Sequence, residues 1–265
     1  MTLYEFSNRY LIDQTEEFFP DFPIAQLDCY RAPHIFSWPP YFSATVGSVQ
    51  KTDLMRMLAF ILQNRSFLPN VINFENNYEA LSRVTGAFDA IVIAGYTRDD
   101  LVARLVSEIG LEAPSRSWSD YAGGLIDAAN YLNAITPFSY TAYLARANTS
   151  PETVIGELCE IRGIGPALAR NFLKEIGVTQ LGKPDVHLYA VFAFDPSVVD
   201  DVSFDRSLKD QARKAGVTAF ELDRIIWMIC SGDYFKHRIK IGKKNLRDRF
   251  IAALSDAIDR GIVTP

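Results

Sequence analysis

Residues 150–188 read SPETVIGELCEIRGIGPALARNFLKEIGVTQLGKPDVHL, and the glycines at their centre decide how the stretch folds. Ser150 is placed to accept from the free amides of a first helical turn, Pro151 suits the first helical position, and Glu152 suits the positive end of the helix dipole. Val154, Ile155, Leu158 and Ile161 then fall on one face. Gly163-Ile164-Gly165 breaks that period, because two glycines allow a tight reversal with positive φ and leave backbone amides uncovered. Pro166 restarts a helix whose buried stripe is Ala169, Phe172, Leu173 and Ile176, and Gly177 closes it. A turn of this kind presents a helix N-terminus and bare N–H groups together, an anion site built without side chains.

The segment IRGIGPALA (161–169) resembles the helix-hairpin-helix of DNA repair glycosylases, and GKPDVHL (182–188) resembles the Gly/Pro loop and essential Asp that follow it in that family. The Asp would be Asp185, twenty residues beyond Gly165. The plainer alternative is a hairpin that only joins two helices, with Asp185 as an N-cap. The resemblance implies an all-α protein of two helical lobes with a DNA-binding cleft between them. One lobe would be 52–183 with the hairpin at 150–177, and the other 1–51 with 184–265. It implies a hydrolase that flips a damaged or modified base out of double-stranded DNA and cleaves its N-glycosidic bond in base-excision repair. Asp185 would be catalytic, stabilising positive charge on the sugar and orienting or deprotonating a water. Arg162, Gly163, Ile164, Gly165, Ala167 and Lys183 would meet the DNA backbone. The Gln63-Asn64-Arg65 end of an earlier helix would enter the duplex. Relatives also support the hairpin with a monovalent cation on backbone carbonyls, here those of Arg162, Gly163 and Gly165. Apart from that cation the resemblance implies no cofactor.

Bifunctional relatives place a nucleophilic Lys two positions after the second hairpin glycine, where this chain has Ala167. That departure implies attack by water and a monofunctional enzyme, with Lys183 as the alternative nucleophile. His187 would point away from Asp185 and make a structural hydrogen bond. Hairpins of this type also serve as noncatalytic DNA-docking modules. An endonuclease using metal-bound carboxylates finds less in the sequence, which has no compact cluster such as D-x-D or H-E-x-x-H.

The net charge of −5 over 265 residues runs against a nucleic-acid partner. Its distribution does not: between residues 234 and 250, Lys236, Arg238, Lys240, Lys243, Lys244, Arg247 and Arg249 face Asp248 alone. Such asymmetry suits a protein that meets a polyanion on one face, with Lys243 and Lys244 as DNA contacts. The alternative is a solvated face laced with salt links. Cys29, Cys159 and Cys230 are odd in number and far apart, which argues against disulfides or a zinc site. Some glycosylases of the family that the chain resembles carry a four-cysteine iron–sulfur cluster near the C-terminus; no cysteine follows Cys230 here, so none is expected. The chain opens without a signal-peptide pattern and has no apolar run near the ~20 residues that span a bilayer. An intracellular monomer, in cytoplasm, nucleoid or nucleus, is expected.

Elsewhere the periodicity predicts helices at 3–18, 52–63, 74–83, 97–109, 119–134, 139–147, 204–214, 218–230 and 243–260. Thr97 and the Thr218–Glu221 capping box mark starts. The run Ala90–Ala94 leaves a single strand open. The aromatic cluster Phe36, Trp38, Tyr41 and Phe42 reads as a flap packed on the core, with stacking on an extruded base as its functional alternative.

Overall fold

The computed structural model describes residues 1–64, 72–110, 116–192, 200–242 and 244–264. Along the first half run α1 (Leu3–Phe18), α2 (His34–Ser37), α3 (Lys51–Gln63), α4 (Tyr78–Val84), α5 (Ala90–Ala94), α6 (Arg98–Ile109) and α7 (Arg116–Ala134). There follow α8 (Tyr140–Thr149), α9 (Pro151–Cys159), α10 (Pro166–Glu175), α11 (Val186–Phe192), α12 (Asp201–Ala215), α13 (Ala219–Ser231) and α14 (Leu246–Asp259). A two-residue antiparallel pair, β1 (Asp233–Tyr234) with β2 (Ile239–Lys240), sits between the last two helices. The described chain is mostly helical, as its periodicity implies.

It divides into two compact units, Met1–Pro33 with Thr179–Pro265, and His34–Val178. The expected boundaries at 51/52 and 183/184 therefore shift. Residues 34–51 belong with the middle segment because His34 pairs with Glu175, and Trp38 and Phe42 set their rings against Phe60 at 5.2 and 6.1 Å. Trp38, Tyr41 and Phe42 are core, which is the flap reading of that cluster. Residues 179–183 join the other unit through Phe220, whose amide donates to the Thr179 carbonyl at 3.0 Å.

In the first unit α13 is the hub, packed on α1, α11, α12 and α14. Its start is the expected capping box, Thr218 with Glu221. Leu222, Ile226 and Ile229 are fully buried on it, each stabilising by roughly 1.5–3 kcal/mol. In the second unit α3 packs on α7 and α10. Helix α10 is buried along its whole second half, Ala169 to Glu175, charged residues included.

Several local readings change. Ala90–Ala94 is helical, because Gly86, Ala87 and Phe88 turn the chain in the left-handed region and Asp89 then caps the amide of Ile91 at 2.7 Å. The buried Phe88 ring, 5.9 Å from Phe74 and 5.7 Å from Tyr78, holds that turn. Ser150 makes no side-chain cap, since it already serves as the C-cap of α8. The helix expected at 74–83 begins at Tyr78, and the one expected at 243 begins at Leu246.

Candidate functional site

The turn 160–165 joins α9 to α10. Gly163 has φ +90°, a conformation that favours glycine, whereas Gly165 is extended (φ −103°, ψ 178°) as the residue before α10. Only one of the two glycines is therefore required for its backbone angle. The amide of Ile164 closes on the Ile161 carbonyl at 3.0 Å. Those of Gly163, Gly165, Ala167 and Leu168 have no hydrogen-bond acceptor among the described residues. Four unsatisfied N–H groups at the head of a helix attract an anion. The Arg162 amide donates to Asp127 Oδ2 at 3.2 Å, and Arg162 Nε lies 3.9 Å from the same carboxylate.

The turn is seated on two glycines of α7. A Cβ on Gly124 would stand 2.7 Å from the Arg162 carbonyl oxygen and 2.8 Å from Leu62 Cδ2. A Cβ on Gly123 would meet the Arg162 guanidinium at 2.8 Å. Alanine is favoured over glycine within a helix by about 1 kcal/mol, but overpacking against a fixed carbonyl costs about 1–3 kcal/mol. Gly124→Ala is therefore expected to lower the thermal midpoint. Gly156→Ala on α9, where nothing lies within 4 Å, is expected to raise it. Equal stabilisation by both changes would mean that the turn does not approach α7 this closely.

Asp185 stands in the other unit, at the head of α11. Its Oδ1 accepts from the amides of His187 at 2.9 Å and Leu188 at 3.1 Å, so the side chain is an N-cap. The second oxygen has no partner among the described residues, which leaves a half-buried carboxylate with one face open. Two residues upstream the Lys183 amide donates to Asp223 Oδ2 at 2.5 Å. Burial lowers the pKa of His187, against the pull of Asp185 and with help from Arg247 and Lys183. The expected structural hydrogen bond of His187 is not made at Nδ1, which is buried without a partner. The Cys230 thiol is pushed up to about 12, chiefly by burial and then by Asp185. It stays protonated and is no nucleophile. The chemistry open to this group is electrostatic: a carboxylate held in direction, able to face a developing cation or a water.

The remaining expected contacts fare differently. Gln63 is 3% exposed, and its Oε1 accepts from the Phe74 amide at 2.8 Å. A buried side chain holding a backbone amide cannot enter a duplex, so Gln63 is withdrawn from that role. Asn64 is the half-buried C-cap of α3. Arg65 and Lys243 lie outside the described residues. Ile164 is buried, Ala167 half-buried and Lys244 exposed.

The basic segment is largely answered within the protein. Lys240 pairs with Asp233 at 2.9 Å, Arg249 with Glu17 at 3.0 Å and Arg247 with Asp248 at 3.4 Å, while Lys236 donates to the Cys29 carbonyl. Four of the seven basic side chains thus have partners within the protein, while the expected DNA contact Lys244 is exposed. Of the three carbonyls suggested for a cation, that of Gly165 accepts from the Ala169 amide at 2.9 Å and keeps a second lone pair, and that of Arg162 lies where a Cβ on Gly124 would come within 2.7 Å. No step below depends on a cation.

Asp127, Asp223 and Gly124 were missed by sequence reading. A Gly-Gly pair inside an otherwise good helix, followed one turn later by Asp127, was the available signal for close backbone approach. The chain matches no protein-family model, no curated protein and no solved structure.

Proposed function

We propose that the protein is a DNA glycosylase that hydrolyses the N-glycosidic bond of a base extruded from duplex DNA. The observation that carries the reading is Asp185, a carboxylate fixed through one oxygen by two backbone amides and open at the other. The turn 160–165 supports it, since its free amides suit a phosphate. On this reading the turn and its two helices act as a helix-hairpin-helix, and the DNA reaches both the turn and Asp185. The expected cleft is part of the proposal.

Extruding the base costs unstacking energy and exposes the sugar to attack. As the C1′–N bond breaks, its electron pair leaves with the base and positive charge spreads over C1′ and the ring oxygen. The Asp185 carboxylate faces that charge. Water forms the new C1′–O bond, its proton passes by way of the Asp185 carboxylate or solvent to the departing base, and the products are free base and an intact abasic site. An N-cap is also a purely structural duty, and this favours a second reading, a noncatalytic DNA-docking protein. Duplexes carrying single modified bases, incubated with the protein and heated in alkali, separate the two. A glycosylase leaves alkali-labile sites, and a docking protein leaves none.

The absence of a side-chain amine at Ala167 makes a further expectation. No covalent complex should be trapped by borohydride, because a Schiff base needs an amine nucleophile. Trapping that disappears in Lys183→Ala would assign Lys183 as nucleophile and make the enzyme a glycosylase and lyase.

A further inference from the structure

We infer that Asp223 is a positioning residue for Asp185, acting through the loop 182–185. The catalytic part of this inference rests on the glycosylase reading; the structural part does not. Asp223 is 1% exposed on α13, the hub of its unit. Its Oδ2 accepts the Lys183 amide at 2.5 Å and would lie 3.2 Å from a Cβ on Gly182. That same Cβ would meet Leu208 Cδ2 at 2.1 Å, so only a glycine lets the loop settle onto the carboxylate.

Burying a carboxylate is costly unless it is hydrogen-bonded, and the bond it accepts from the Lys183 amide is charge-assisted. From that bond to Asp185 the chain has little freedom. Pro184 fixes its own φ and holds Lys183 out of the helical region. Immediately beyond, Oδ1 of Asp185 is tied to the amides of His187 and Leu188. The carboxylate is thus clamped from both sides, upstream by Asp223 and downstream by the first turn of α11. Loss of the upstream clamp lets the loop lift while the cap persists. A displacement of about 1 Å at a reacting group is enough to cost roughly 10²-fold in rate.

The test compares Asp223→Ala and Asp223→Asn, reading amide exchange at residue 183, single-turnover excision and duplex affinity. Asp223→Ala is expected to speed exchange at 183 and slow excision by roughly 10–100-fold, with duplex Kd changed much less, since Lys183 is one of several backbone contacts on this reading. Asp223→Asn keeps an acceptor oxygen and is expected to restore most of both. A merely structural role would move the melting temperature and leave the excision rate of the folded fraction alone. Should Asp223→Ala fail to fold, Asp223→Glu displaces the acceptor by one methylene and is expected to show the same loss of rate. Unchanged excision in the folded variant, or unchanged exchange at 183, overturns the inference. If the wild-type protein excises no base, the glycosylase reading falls by itself, and exchange at 183 still decides whether Asp223 holds the loop.

Discussion

Asp185→Asn is expected to lose base excision by roughly 10²–10³-fold, the loss seen when one electrostatic stabiliser is removed from a preorganised site, while folding and duplex binding persist. The substitution separates the cap that the side chain makes from the catalytic role proposed for it. The amide oxygen of Asn can still accept from His187 and Leu188, and Asn caps helices about as well as Asp. What disappears is the charge that, on the glycosylase reading, faces C1′. Asp185→Ala loses charge and cap alike, and adds about 1 kcal/mol of destabilisation. Single-turnover excision and thermal melting, measured on both variants, resolve the contributions. Normal excision by Asp185→Asn would remove Asp185 from catalysis and leave it as an N-cap.

Glu175→Ala is expected to destabilise the protein by about 3–5 kcal/mol, the cost of breaking a buried pair from one side. Glu175 and His34 are 2% and 5% exposed. One carboxylate oxygen accepts from the His34 backbone amide at 3.0 Å and sits 2.9 Å from the ring Nδ1. Alanine would remove the buried carboxylate that both nitrogens reach. Glu175→Gln retains an acceptor and should cost less. Urea unfolding measures both; a loss below about 1 kcal/mol for Glu175→Ala would show that the pair does not hold residues 34–37 to α10.

That pair also marks where the sequence stopped being legible. Caps were readable because they are local: Thr97 and Gly110 bracket α6, and Thr218 with Glu221 opens α13, each within a few residues of its partner. The 34–51 segment was not. Its allegiance to the middle unit depends on Glu175, far along the chain, and on the rings of Phe60 and Phe74. The partners of the basic segment were hidden for the same reason, since Arg249 finds Glu17 across 232 positions and no local count of charge anticipates that. At the turn, sequence supplied the glycines but not Asp127, whose carboxylate already occupies one amide. Asp185 was legible as the head of a helix because Pro184 and the apolar run after it are neighbours in sequence. Its support from Asp223 required the fold.

The central claim, that the protein breaks an N-glycosidic bond, is tested most directly by mass spectrometry of the material released from duplexes that each carry one oxidised, alkylated, deaminated or otherwise modified base. The account expects one free modified base from at least one duplex, in equal amount to the alkali-labile sites formed and with the strand intact before alkali. Tight binding to these duplexes with no free base released from any of them would contradict it.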